Sequence, residues 1–155
     1  MAKNIFVSFD HDDAAQVNGF KLLKNNPNHP LDFRDHSLKE PVRDRYGNPI
    51  TYPPNDPRSK PVREEIVQKF ENASKLVALI GSNTAGSEWV DWEIKTFFNM
   101  KYELSKENTW KRIRGMKLKG QDLASIPNAL NGRSTKVMNW DPDALDRWLD
   151  LDPDK

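Results

Sequence analysis

Two stretches of the chain are apolar at almost every consecutive position. Ile5-Phe6-Val7-Ser8-Phe9 and Leu76-Val77-Ala78-Leu79-Ile80 show no alternation between apolar and polar residues. A strand of that kind has both faces covered, as in the middle of a parallel sheet packed between helices. Elsewhere the apolar residues recur at helical spacing. Val62, Ile66, Phe70 and Ala73 follow one another at steps of four, four and three, one stripe on a helix that Pro61 is suited to open. A second helix is predicted from about Glu88 to Tyr102, with Ser87 as its cap and Glu88 in its first turn. Ala14, Val17 and Phe20 mark a shorter one that ends before Asn25–Pro30.

Weaker signals complete the order. Leu31–Asp35 is a second strand, Trp110–Leu118 a fourth interrupted by Arg112 and Arg114, and Lys136–Trp140 a last one. Ala124–Leu130 is a short helix or loop, and Asp141 caps a final helix carrying Leu145, Trp148 and Leu149. Between Ser37 and Lys60 there is no periodicity, and six of the 11 prolines fall between Pro41 and Pro61. A long Pro-rich loop is therefore expected at about 38–60, mobile or held by a second copy of the chain. Strands alternating with helices predict an α/β fold in three layers. The expected form is a flavodoxin-like, five-stranded, mainly parallel sheet in the order 2-1-3-4-5, with strands one and three at its centre. All 155 residues are assigned to one domain.

Composition narrows the function. No run approaches the roughly 18 apolar residues of a membrane span, so no membrane is expected as a partner. The apolar run after Met1-Ala2-Lys3-Asn4 is shorter than the core of about 7–15 residues in a secretory leader. Cysteine is absent, which removes disulfides, thiol catalysis and Cys–metal sites. A cytoplasmic protein is expected. The formal net charge of +1 supplies no field for nucleic acid. The basic stretch around Trp110, Lys111, Arg112 and Arg114 is expected to be a solvated face. His11, His29 and His36 have no spacing that pairs them as metal ligands, and no metal is expected.

In open α/β sheets ligands bind beyond the carboxyl ends of the strands, where strand order reverses. That places attention on Phe9–Asp13 and Gly81–Ser87. Asp12 and Asp13 have an ordinary reading as a solvated loop and helix cap. A phospho-acceptor domain would need an Asp at the end of the third strand, where this chain has Ile80-Gly81-Ser82. A flavodoxin-type phosphate loop would need small residues after the first strand, where this chain is acidic. The small polar loop Gly81–Ser87 can bring N–H groups and hydroxyls to a phosphate or ribose. Glu93 is the most informative single residue. Asp91 has Lys95 one turn on, an ordinary surface pair, but the helical neighbours of Glu93 are Trp89, Val90, Thr96 and Phe97. A carboxyl among aromatic groups is desolvated and its pKa rises, a condition that clusters at catalytic sites. The plain alternatives are a Glu at a helix edge pointing to water and a Trp89–Trp92 pair that is simply core.

These residues resemble a known family. Asn4–Asp13 resembles the first box of TIR and TIR-like domains, an apolar strand ending in Ser-Phe/Tyr before an acidic turn. Phe33–Leu38 resembles the start of the second box. Leu79–Thr84 and Ser87–Ile94 resemble the third strand, its loop, and the helix bearing the Trp-x-x-x-Glu of NAD-cleaving TIR proteins. The likeness is to the bacterial TIR-like group that contains the TIR-like subunits of Thoeris antiphage defence. No Pro-Gly closely follows Arg34-Asp35, and the Phe-Trp of a third box is missing, which sets the chain apart from animal adaptor TIR domains.

The resemblance implies an enzyme that breaks the nicotinamide–ribose bond of NAD, a substrate and not a resident cofactor; no cofactor is expected. It implies ADP-ribose or a cyclic ADP-ribose isomer as the product, the latter a signal to a downstream effector. Glu93 is the implied catalytic carboxylate; Phe9, Asp10, His11, Asp35, Ser82 and Trp89 are the implied substrate-binding residues. Self-association through the 38–60 loop is a further expectation. The competing reading is a non-enzymatic interaction or nucleotide-sensing module on the same frame.

Overall fold

The computed structural model describes residues 3–10, 13, 17–18, 20, 33–35, 42–130 and 137–153. Among the described residues there are five strands: β1 Lys3–Ser8, β2 Phe33–Asp35, β3 Lys75–Ile80, β4 Ile113–Lys117 and β5 Val137–Met138. All their pairings are parallel, β1 with β2 and β3, β3 with β4, and β4 with β5, which sets the order β2-β1-β3-β4-β5. Three longer helices lie among the described residues: α1 Lys60–Asn72, α2 Glu88–Ser105 and α3 Pro142–Leu149. Val17, Asn18 and Phe20 also have helical backbone, inside the helix expected after β1. The α/β class and the helix-covered parallel sheet agree with the sequence reading and are compatible with a flavodoxin-like fold.

The period of two along each strand separates two cores. Phe6, Leu76, Ala78, Ile80 and Ile113 face α1 and α2 and meet Val62, Ile66, Phe70, Val90, Ile94 and Phe97. Ile5, Val7, Val77, Leu79 and Met116 face the other way, onto Val17, Phe20, Leu145, Trp148 and Leu149. All six residues of β3 are buried, Lys75 included, as its unbroken apolar run requires. On the first face the Phe6, Phe70 and Phe97 rings meet edge to face, with centroids 4.7 and 5.3 Å apart. Such contacts add about 0.5–1.5 kcal/mol each beyond area burial.

The helix signals are realised atom by atom. Ser87 Oγ accepts from Val90 N, and Asp141 Oδ1 accepts from Ala144 N. Differences lie in the weakly patterned parts. Trp110–Arg112 is the end of a 3-10 turn (Lys106–Arg112) and not the start of β4, because Arg112 turns inward to bind Ser105 Oγ and Ser74 O. The last strand is only Val137–Met138; Lys136 lies outside the described residues.

Residues 38–41 of the Pro-rich loop also lie outside the described residues, but 42–59 have internal structure that periodicity does not reveal. Arg43 and Pro49 form an antiparallel bridge around a tight turn. Asp44 Oδ1 accepts from Tyr46 N and Asn48 N, and Gly47 holds φ +84°, a conformation favouring glycine. Pro57–Ser59 is a 3-10 turn capped by Asp56, which leads straight into α1. Ser59 Oγ and Arg63 tie this end down through bonds to the carbonyls of Tyr52, Pro53, Pro54 and Asp56.

Candidate active site

The site is built at the carboxyl ends of β1 and β3, beneath the first turns of α2. Val90, Glu93, Ile94, Phe97 and Lys101 are all buried, so Glu93 occupies the apolar stripe of α2 and not its wet edge. Ser8, two residues after Phe6, lies on the face of β1 that α2 covers. Its hydroxyl donates to Glu93 Oε1 at 3.0 Å, joining residues 85 positions apart. Ser8 is 1% exposed and Glu93 8%. Burial pushes the Glu93 carboxyl up to about 8, against the smaller lowering effect of the Ser8 hydrogen bond. The carboxyl is thus mostly protonated at neutral pH and ionises when a positive charge is brought to it.

The loop after β3 holds the other side. Gly81 N donates to Thr84 Oγ1 at 2.8 Å, and that hydroxyl contacts Asp13 Oδ2 at 3.0 Å as donor. Asn83 Nδ2 adds a longer bond of 3.3 Å to Asp13 Oδ1. Asp13 is 5% exposed, which corrects its reading as a solvated loop residue. Gly81 is needed there because an added Cβ would fall 2.5–2.7 Å from the Asp13 carboxyl atoms.

The other expected site residues are distributed around this pair. Phe9 is half-buried and packs on the core of the opposite sheet face, and Asp10 is half-exposed, its carbonyl accepting from Asp13 N at 2.9 Å. Asp35 ends β2, paired in register with Ile5. His11 lies outside the described residues. Ser82 is exposed and lines an open groove of about 470 Å³ with the Gly120–Ser125 segment, at the carboxyl ends of β3 and β4. Glu93 does not line that groove. Trp89 is half-buried, one turn before Glu93. Its ring meets Trp92 edge to face at 5.5 Å, and its Nε1 donates to Tyr52 O at 3.1 Å. The pair therefore packs on the core, and Trp89 also links α2 to the Pro-rich segment. Asp91 makes its expected pair with Lys95 at 2.7 Å and also accepts from Ala129 N.

Sequence reasoning did not assign Ser8 or Thr84 to the site. Ser8 carried a signal, a lone hydroxyl inside an otherwise apolar two-faced strand. Thr84 carried none beyond its place in a loop of small residues. No group of three His, Asp or Glu among the described residues is arranged to hold a metal ion. No helix among them is long and apolar enough to cross a membrane.

A buried, hydroxyl-bonded carboxyl at the carboxyl edge of a parallel sheet can stabilise a developing cation in a site poor in water. Comparison with curated proteins finds no match. Comparison with family models finds the TIR-like domain of Thoeris protein ThsB, matched over residues 6–115. That span runs from within β1 to within β4, includes Ser8, Asp13, Thr84 and Glu93, and takes in well over half of the chain. The chain therefore belongs to the family of Thoeris ThsB TIR-like domains.

Proposed function

We propose that this chain, on a flavodoxin-like five-stranded TIR frame, is an NAD-consuming enzyme of antiphage defence that cleaves the nicotinamide–ribose bond. The observation that carries the reading is Glu93, a carboxyl 8% exposed with the Ser8 hydroxyl bonded to it. NAD suits such a group because its nicotinamide ring is already cationic. When the C1′–N bond breaks, the electron pair leaves with neutral nicotinamide and no acid is needed. Positive charge passes to the ribose in an oxocarbenium-like transition state, as in glycoside cleavage. The substrate's charge favours the ionised form of Glu93, and the carboxylate then stabilises the ribose cation.

Water adding to C1′ gives ADP-ribose and a proton. A nitrogen of the adenine or a ribose hydroxyl adding instead gives a cyclic isomer and a proton, a product able to reach a downstream effector. Phe9, Asp10, His11, Asp35, Ser82 and Trp89 form the substrate-binding surroundings in this reading, and self-association through the 38–60 segment supplies the active assembly. The test is incubation with NAD, alone and with infected-cell extract as trigger, following nicotinamide and ADP-ribose-containing products by chromatography. Glu93→Gln keeps the size and removes the charge, and its rate falls by about 10²–10³. Equal turnover by wild type and Glu93→Gln removes Glu93 from the mechanism. No turnover under any condition leaves the non-enzymatic module as the function.

A further inference from the structure

We infer that Asp13 and Thr84 form a positioning lock that holds Ser8 and Glu93 in register. The inference rests on the reading of Glu93 as the catalytic carboxylate. Ser8 and Glu93 belong to elements that are far apart in the chain and meet through one hydrogen bond. Asp13 and Thr84 join the same two parts of the molecule a second time. Asp13 follows β1, and its N–H closes back on Asp10 O at 2.9 Å, two residues beyond Ser8. Thr84 opens the short turn that leads into α2, and its carbonyl accepts from the N–H of Ser87, the α2 cap, at 3.0 Å. The contact of Thr84 Oγ1 with Asp13 Oδ2 at 3.0 Å thus ties the end of β1 to the start of α2.

Each part of the lock is specified. The hydroxyl of Thr84 accepts from Gly81 N, which turns its lone proton toward Asp13. Leu79 O is a poorer acceptor for that proton, at 3.3 Å. Thr84 is fully buried, so no water replaces a lost bond. Gly81 leaves the space that the Asp13 carboxylate fills. A carboxyl group buried this deeply is costly unless it is hydrogen-bonded; Thr84 and Asn83 supply those bonds, at the carboxyl edge of the sheet where ligands of open α/β folds bind. Asp13 and Thr84 touch no reacting atom in this account; they act through Ser8 and Glu93.

Three variants test the lock. Thr84→Val removes the hydroxyl at equal volume. Gly81→Ala keeps every polar group and displaces the Asp13 carboxylate. Thr84→Ser retains the bond and serves as the conservative control. Near-UV circular dichroism establishes that each is folded. Two readouts follow: the ionisation of Glu93, observed by carbon NMR of the labelled carboxyl, and NAD cleavage. Thr84→Val and Gly81→Ala are expected to lower the Glu93 midpoint, because loosening the contact admits water, and to lower kcat about tenfold with KM little changed. Thr84→Ser is expected to match wild type in both. An unchanged or raised Glu93 midpoint in folded Thr84→Val and Gly81→Ala overturns the lock, whether or not wild type cleaves NAD. A wild type that never cleaves NAD overturns the proposed function while the NMR titration still decides the lock. If either variant fails to fold, the other and Asp13→Asn carry the same two readouts.

Discussion

The two ends of the sheet bury ionisable groups in opposite ways. At the amino end the buried charges are cations, and each is supplied with backbone carbonyls. Lys75 donates to Trp148 O, Leu149 O and Leu151 O at the end of α3. Lys101 donates to Phe70 O near the end of α1, and Arg112 to Ser74 O just beyond it. Cations there add a donor to carbonyls at and just beyond the helix ends and meet the negative end of the helix dipole. At the carboxyl end, by contrast, the buried Glu93 is bonded to a neutral hydroxyl, with no cation beside it among the described residues. Burial lowers the pKa of Lys101 and raises that of Glu93 to about 8. Both shifts come from desolvation, so a buried charge does not by itself mark a functional site. The difference is in the partners. The cations sit at helix ends on backbone carbonyls, whereas Glu93 is held by a single neutral hydroxyl and desolvation keeps its proton on.

The largest expected effect that separates the two ends is on stability against pH. In the folded chain Glu93 holds its proton up to about pH 8, whereas the unfolded chain loses it near 4.5. The unfolded state therefore binds fewer protons across that window, and stability falls as pH rises from about 4.5 to 8. The full loss is about 4–5 kcal/mol, at about 1.36 kcal/mol per pH unit. Thermal melts of wild type and Glu93→Gln across pH 5–8 check it. The wild-type Tm falls relative to that of Glu93→Gln by about 2–4 °C for each kcal/mol.

At the other end, Lys75→Met is expected to cost about 2–3 kcal/mol by removing the charged donor that the Trp148, Leu149 and Leu151 carbonyls share. Denaturant titration reads that loss, and NAD cleavage per folded molecule stays at the wild-type value. A Lys75→Met variant that folds well but loses turnover breaks the comparison. The smallest effect belongs to Ser8→Ala. It costs about 0.5–1.5 kcal/mol in stability. It also moves the Glu93 pKa further up, because the Ser8 bond is the one influence lowering it. Carbon NMR of the Glu93 carboxyl in Ser8→Ala checks that direction.

What the sequence revealed and what it concealed divide along the same physical line. The unbroken apolar runs of β1 and β3 required burial on both faces, and the structure buries them. The Val62, Ile66, Phe70 and Ala73 stripe, and the Ser87 and Asp141 caps, are local signals, and each sits where its spacing put it. Glu93 was legible because it lacked a charged helical neighbour while falling among Trp89, Val90 and Phe97. Its partner Ser8 was not, because a hydroxyl reaching across 85 residues leaves no mark on local pattern. Asp13 looked like one more acid in an acidic turn; its burial depends on Thr84, Asn83 and the missing side chain of Gly81. The 42–59 segment concealed its turns because side-chain-to-backbone bonds, such as those of Asp44, carry no periodicity.

The most direct test of the account is kcat/KM for NAD as a function of pH. This parameter reports the ionisation of groups in the free enzyme. With Glu93 acting as a carboxylate and titrating at about 8, kcat/KM rises roughly 50-fold between pH 6 and 8 and levels above that range. Glu93→Gln gives a low, flat profile over the same range. A wild-type profile that is flat, or a Glu93→Gln profile that keeps the rise, contradicts the assignment of the reaction to Glu93.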